Sequence, residues 1–235
     1  MLASLSRAAA DDTTTARAKA FVAAFIEKFR PIDIEASRAW WDANITGKDE
    51  DFKRKEEAQN KIDAFLSAKD VFAATKALKE SKEVDDPIAR RAVDVIYLMQ
   101  LEKQVDSELL KQMTALGNKL EKTFSNFRAK VDGKEMTDAE VRDVLKKSTL
   151  SARRKEVWEA SKEIGKLVEK DLHELVLVRN QVAKKLGFAN FHAMQLYLNE
   201  QNGADLIKLF DQLDELTRKP FLAAKAEMDV VLAKN

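Results

Sequence analysis

The chain has 235 residues, with 41 basic against 40 acidic side chains, a net charge of +1, six glycines, three prolines and no cysteine. A near-zero balance offers no field for nucleic acid or an anionic membrane, and the missing thiols exclude disulfides, thiolate metal ligands and thiolate nucleophiles. No run of about eighteen apolar residues crosses a bilayer as a helix, and 34% charged with 45% hydrophobic residues suits a helical chain able to bury one sizeable core.

Residues 1–15 read as a flexible tail or the remnant of a secretory leader: Met1 to Ser6 is mildly apolar, Ala8, Ala9 and Ala10 follow, and Asp11 and Asp12 close it. Residues 16–235 read as a single helical unit. Thr13, Thr14 and Thr15 offer N-caps for a helix through Phe21, Phe25 and Phe29, which Pro31 ends. Those three rings are expected to form a core stripe. A second helix carries Ala36, Trp40 and Trp41 toward Ile45, with Gly47 as the break, and core packing is expected for at least one tryptophan. From Asp49 the apolar positions Phe52, Ala58, Ile62, Phe65, Leu66, Val71, Phe72 and Leu78 recur at helical spacing in a charged background, giving one long helix or two abutting ones. Asp86 and Pro87 are an N-cap and first-turn pair for a helix through Val93, Ile96, Tyr97 and Leu101.

A further helix is predicted from about Asp106 to Phe127. Asp132 and Gly133 then suit the tight turn of a small hairpin near 127–136, the only sheet expected. Thr137 and Glu140 form a capping box for a short helix to Lys147. The stretch from Ser151 to Leu198 holds a long helix with four consecutive apolar residues, Leu175 to Val178, which predicts burial on most sides. It ends at Lys184, Lys185, Leu186, Gly187 and Phe188, where lysines suit the helix dipole and Gly187 suits a left-handed cap. A short helix restarts near Asn190. Gly203 opens a last helix with Leu206, Phe210, Leu213 and Leu216, kinked or restarted at Pro220 and continued by Phe221, Met228 and Leu232. The fold class is therefore all-α, an elongated multi-helix array with at most one hairpin.

Two segments carry a family resemblance. The run from Val178 to Phe191 (Val-Arg-Asn-Gln-Val-Ala-Lys-Lys-Leu-Gly-Phe-Ala-Asn-Phe) resembles the RN-x-x-A-x-x-LGF-x-N-[YF] signature of helical zinc peptidases. Ala36, Ser37, Trp41 and Asn44-Ile45-Thr46 resemble the early A-S…W…NIT segment of the angiotensin-converting-enzyme family, peptidyl-dipeptidases of bacterial type in this case. The oligoendopeptidases share the LGF element and are the nearest confusable relatives. The resemblance implies a helical peptidase with a deep cleft, of which this chain would be the N-terminal lid and wall. It implies Zn2+ for the full-length enzyme, a peptide substrate, a missing C-terminal half as partner, and a periplasmic or extracellular location. In that enzyme a metal-bound water, deprotonated by glutamate, would attack the scissile carbonyl.

The chemistry itself is not found in the residues. A zinc helix of this kind needs two histidines four apart with glutamate after the first. His173 is followed by Glu174, but the fourth residue beyond it is Leu177, and the only other histidine is His192. An unorthodox set of His173 and His192 with Glu169, Glu174 or Glu200 is less favoured than two ordinary helix histidines. No catalytic or metal-binding residue is therefore assigned, none can be named for substrate, and no cofactor is expected in this chain. No Gly-rich phosphate loop or Gly-x-Ser-x-Gly elbow occurs. Asp85/Asp86 and Glu56/Glu57 read as a cap and a solvated face. In many relatives an arginine-bearing turn after LGF accompanies chloride activation, whereas Met194 to Leu198 contains none, which puts chloride dependence in doubt. The function expected is the N-terminal portion of a zinc-dependent peptidyl-dipeptidase, inactive by itself. The alternatives are a freestanding helical binding scaffold or an oligoendopeptidase-type fragment.

Overall fold

A computed structural model describes residues 2–234, with side chains from Thr14 onward. The helices are α1 (Leu2–Thr46), α2 (Asp49–Leu66), α3 (Lys69–Glu80), α4 (Pro87–Leu101), α5 (Ser107–Asn126), α6 (Asp138–Lys147), α7 (Ser151–Lys162), α8 (Ile164–Lys185), α9 (Phe191–Leu198) and α10 (Gly203–Leu232). Strands β1 (Ala129–Val131) and β2 (Lys134–Met136) pair antiparallel, Val131 opposite Lys134. Helices α1, α2, α5 and α8 pack in succession, each against the next. The α3–α4 pair lies on α1, and β1, β2, α6 and α7 form a small separate cluster. The expected all-α architecture with one hairpin is what is found. The tail or leader expected over 1–15 falls, apart from Thr14 and Thr15, outside the described side chains.

Four local signals settle as the sequence foretold. Asp132 and Gly133 both take positive φ, 53° and 74°, the backbone of a tight hairpin turn. Thr137 and Glu140 complete a reciprocal capping box. Asp86 Oδ1 accepts the N–H groups of Ile88 and Ala89 while Pro87 opens α4. Gly47, at φ 68°, ends α1 and its carbonyl accepts from Asn126 Nδ2 at 2.8 Å; a Cβ there would collide with that amide.

Three expectations fail, each for a tertiary reason. Pro31 does not end a helix: α1 runs through it. Pro31 is exposed, so the carbonyl it leaves unpaired one turn back can turn to water. Thr14 and Thr15 are not caps but lie inside α1, where Thr14 donates to the Glu83 carboxylate at 2.9 Å and Thr15 accepts the Asp85 N–H at 3.0 Å. They pin the α3–α4 loop onto α1. Neither Trp40 nor Trp41 is in the core; they are 50% and 61% exposed, because Ala39 and Ala43 are the residues α1 turns inward at this level. The phenylalanine stripe does form: Phe25 is buried, with Phe29 and Phe65 rings 5.7 and 5.3 Å from it.

Between α2, α4 and α5 lies a buried polar knot. Asp63 takes Lys103 Nζ at 3.1 Å, Gln59 at 3.1 Å and Thr114 at 3.1 Å. Thr75, fully buried, donates to Gln100 Oε1 at 2.7 Å. Such a network fixes the register of the row only because nearly all its members find partners.

Candidate functional site

The α8–α9 corner carries the signature run, and its residues prove to be devices for turning the chain. The last turn of α8 closes with Phe188 N–H donating to Ala183 O at 2.9 Å and Gly187 N–H to Lys184 O at 3.1 Å, with Gly187 at φ 87°. This is the paired C-terminal cap that a left-handed glycine permits. Asn190 then caps α9 by accepting the Ala193 N–H at 2.8 Å. Asn180 reaches across the corner, its Oδ1 accepting the Phe191 N–H at 2.9 Å. Beneath them Val182, Ala183 and Met194 are buried together, flanked by Leu109, Leu186, Phe188 and Phe191.

Charge ties the corner to its neighbours. Arg91 of α4 grips Glu200 with both terminal nitrogens, at 2.5 and 2.6 Å. That hydrogen bond holds the Glu200 carboxyl below the ordinary glutamate range and raises Arg91. Glu200 sits at φ 56°, rare for a side chain other than glycine, at the end of α9. Lys185 at the end of α8 binds Asp106 at 2.8 Å, lowering that carboxyl, and so fastens α8 to the start of α5. Arg179 lays its guanidinium 5.0 Å from the Phe191 ring centroid, with Nε buried and unpartnered.

The predicted burial of the apolar block is half correct. Leu175 and Val178 are buried against the row, whereas Val176 and Leu177 are exposed, as is Leu172 one turn before Val176. The block therefore belongs to a helix covered on one side only.

His173 and His192 both lie on the exposed surface, on different helices. Glu174 accepts from Gln112 at 3.3 Å and Glu200 is engaged by Arg91, so these two carboxylates serve separate contacts. Among the described residues no three His, Asp or Glu side chains come together to hold a metal ion. A catalytic zinc takes three protein ligands, and the residues present do not fit one. Of the other residues singled out, Asn44 of the Asn-Ile-Thr triplet donates to Glu121 at 2.8 Å and to the Trp40 carbonyl at 2.9 Å. Its amide is thus used in packing α1 on α5. The Arg91–Glu200 tie, by contrast, had no local signal: 109 positions separate the partners.

The family model described as angiotensin-converting enzyme, for the M2 peptidases, matches residues 12–221. The chain belongs to that family. The match takes in both segments that carried the resemblance, the hairpin cluster, the α8–α9 corner and α10 as far as Phe221. No curated protein matches the sequence. Membership of the angiotensin-converting-enzyme family makes this a peptidase-related chain, all-helical apart from its hairpin. None of its described helices is long and apolar enough to cross a membrane.

Proposed function

We propose that this chain is the N-terminal part of a zinc-dependent peptidyl-dipeptidase, in which it forms a wall and lid of the peptide cleft. The observation that carries the reading is the family match over residues 12–221. The exposed apolar strip of Leu172 and Val176 on α8 supports it, since a helix lining one half of a larger domain keeps such a side for the other half. In this reading the metal ligands and the general base belong to a segment bearing His-Glu-x-x-His, and the residues of this chain restrict access and contact the peptide. The peptidase as a whole releases dipeptides from peptide C-termini, in a periplasmic or extracellular setting.

Metal analysis and a dipeptide-release assay test this, on the purified chain alone and mixed with the His-Glu-x-x-His-bearing half of an M2 relative. The chain alone is expected to hold no stoichiometric zinc and to release nothing. The mixture is expected to show chelator-sensitive release. Turnover with tightly held zinc in the chain alone would overturn the division of labour. Binding of the two halves without turnover would favour a helical scaffold instead.

A further inference from the structure

Residues 127–163 leave the helical row at the end of α5 and return to it at the start of α8. Those two ends are neighbours because α5 and α8 lie antiparallel: Lys119 binds Asp171 at 2.7 Å, and Asp106 at the start of α5 takes Lys185 at 2.8 Å. The excursion between them has a core of its own. Ala129, Val131, Val141 and Val157 are buried together, and the half-buried side chains packed on them all come from residues 127–160. Its polar contacts close inward in the same way. Arg153 of α7 reaches Asp132 in the hairpin turn at 2.8 Å and Glu156 at 2.7 Å, and Lys130 faces Glu135 across the strands at 3.8 Å. Two clefts separate this cluster from the row. One of about 480 Å³ lies among Thr123 of α5, Ala160 of α7 and Leu167 of α8. The other, of about 580 Å³, lies among Phe124, Leu145 and Trp158.

Size decides what such a cluster can do. One alanine and three valines remove little apolar surface from water, and a unit of fewer than about 40 residues holds together less firmly than a larger one. The rest of the molecule is fastened by the Phe25, Leu66 and Ile96 core, by the Val182, Ala183 and Met194 core, and by the buried Asp63–Lys103 pair. The joints are short. Phe127, extended, follows the last residue of α5, and Glu163 alone stands between α7 and α8. We propose that residues 127–163 are a hinged module, which opens as one cooperative unit at Phe127 and Glu163 while the row stays folded. Opening costs the module its own small core and leaves the contacts of α5 with α8 in place. The motion follows from packing within this chain and does not depend on the peptidase reading.

Native-state hydrogen exchange of the full chain in rising, sub-denaturing urea, resolved by peptide, tests this. In the wild-type chain the amides of β1, β2, α6 and α7 are expected to share one opening, roughly tenfold or more less protected than those in the middle of α2 and α8. Their exchange should depend more weakly on urea, because less surface is exposed. Val157→Ala, in the module core, should speed exchange across all four elements together, by roughly tenfold. Met194→Ala, in the α8–α9 core, should speed the amides of α8 and α9 and leave those of the module unchanged, because the module opens with α9 still docked. Acceleration of the module by Met194→Ala would mean a single transition and overturns the proposal. So does a Val157→Ala effect confined to α7, or a wild-type chain in which module and row share one protection and one urea dependence.

Discussion

Met194→Ala tests whether α9 is held to α8 as described. Met194 has no exposed surface and lies on Val182 and Ala183, with Val105, Leu109, Leu186, Phe188, Phe191 and Leu198 around it. Truncating a buried methionine to alanine costs about 2–5 kcal/mol, the upper values where neighbours cannot close the gap. Here the surrounding side chains are half-buried and have room to move, which places the expected loss near about 3 kcal/mol. For a chain of this size that lowers Tm by roughly 6–12 °C. Urea unfolding followed by circular dichroism should show a lower midpoint with the slope unchanged, since the surface exposed on unfolding is the same. His192→Ala, two residues away on the same helix but exposed, is the control and should stay within about 0.5 kcal/mol. A loss under about 1 kcal/mol for Met194→Ala would show that α9 is not docked, and the account of the corner would fall with it.

Three other substitutions follow from the same packing. Pro31→Ala, at an exposed position inside α1, should stabilise the chain by about 2 kcal/mol, the helix-interior penalty of proline less its stiffening of the unfolded chain; a neutral or destabilising result in thermal unfolding would mean that α1 bends there for a packing reason. Asp63→Ala leaves Lys103, whose side chain is 12% exposed, only its Glu102 contact at 3.5 Å and unpairs Gln59 and Thr114, and should cost about 3 kcal/mol. Asp63→Leu with Lys103→Met should recover most of that, and equal losses for both variants would contradict the argument. Burial pushes the Glu121 carboxyl up, but hydrogen bonds from Lys55 and Asn44 outweigh it and hold the group below the ordinary glutamate range. The unfolded chain therefore takes up this proton first as pH falls. The contribution is complete above the unfolded pKa and disappears as pH drops through the lower folded value. Glu121→Gln should flatten the acid limb of a urea-midpoint profile, and a limb of unchanged steepness would refute the assignment.

What could be read in the chain was whatever is decided within a few residues. The Asp132-Gly133 turn, the Thr137–Glu140 box, the Asp86-Pro87 start of α4 and the Gly187 cap are all backbone matters in which the residue type answers a local need. What could not be read was decided by a neighbour distant in sequence. Pro31 is tolerated because the side of α1 on which it falls is wet, and that depends on where α2 lies. Trp40 and Trp41 look like core residues by size, yet Ala39 and Ala43 occupy the inner face and let α2 come close. Thr14 and Thr15 have the chemistry of caps, but the donors and acceptors they satisfy belong to a loop nearly seventy positions away. The Leu175–Val178 block signalled burial on most sides, yet α8 is covered on one side only, because its neighbours α5 and α9 do not surround it.

The same distinction explains why the family could be recognised while the site could not be assembled. In the signature run, Asn180 holds the Phe191 amide, Gly187 takes a positive φ, Phe188 closes the last turn of α8 and Asn190 opens α9. Every one of these acts on the backbone of a helix–turn–helix corner. Such needs leave a legible sequence mark whatever chemistry the surrounding domain performs, because they are steric and local. A zinc site leaves an equally local mark, imidazoles four apart on one face of a helix. At that interval from His173 stands Leu177, exposed and without a lone pair, so the corner identifies the architecture, and the spacing of a zinc helix is not met at this histidine.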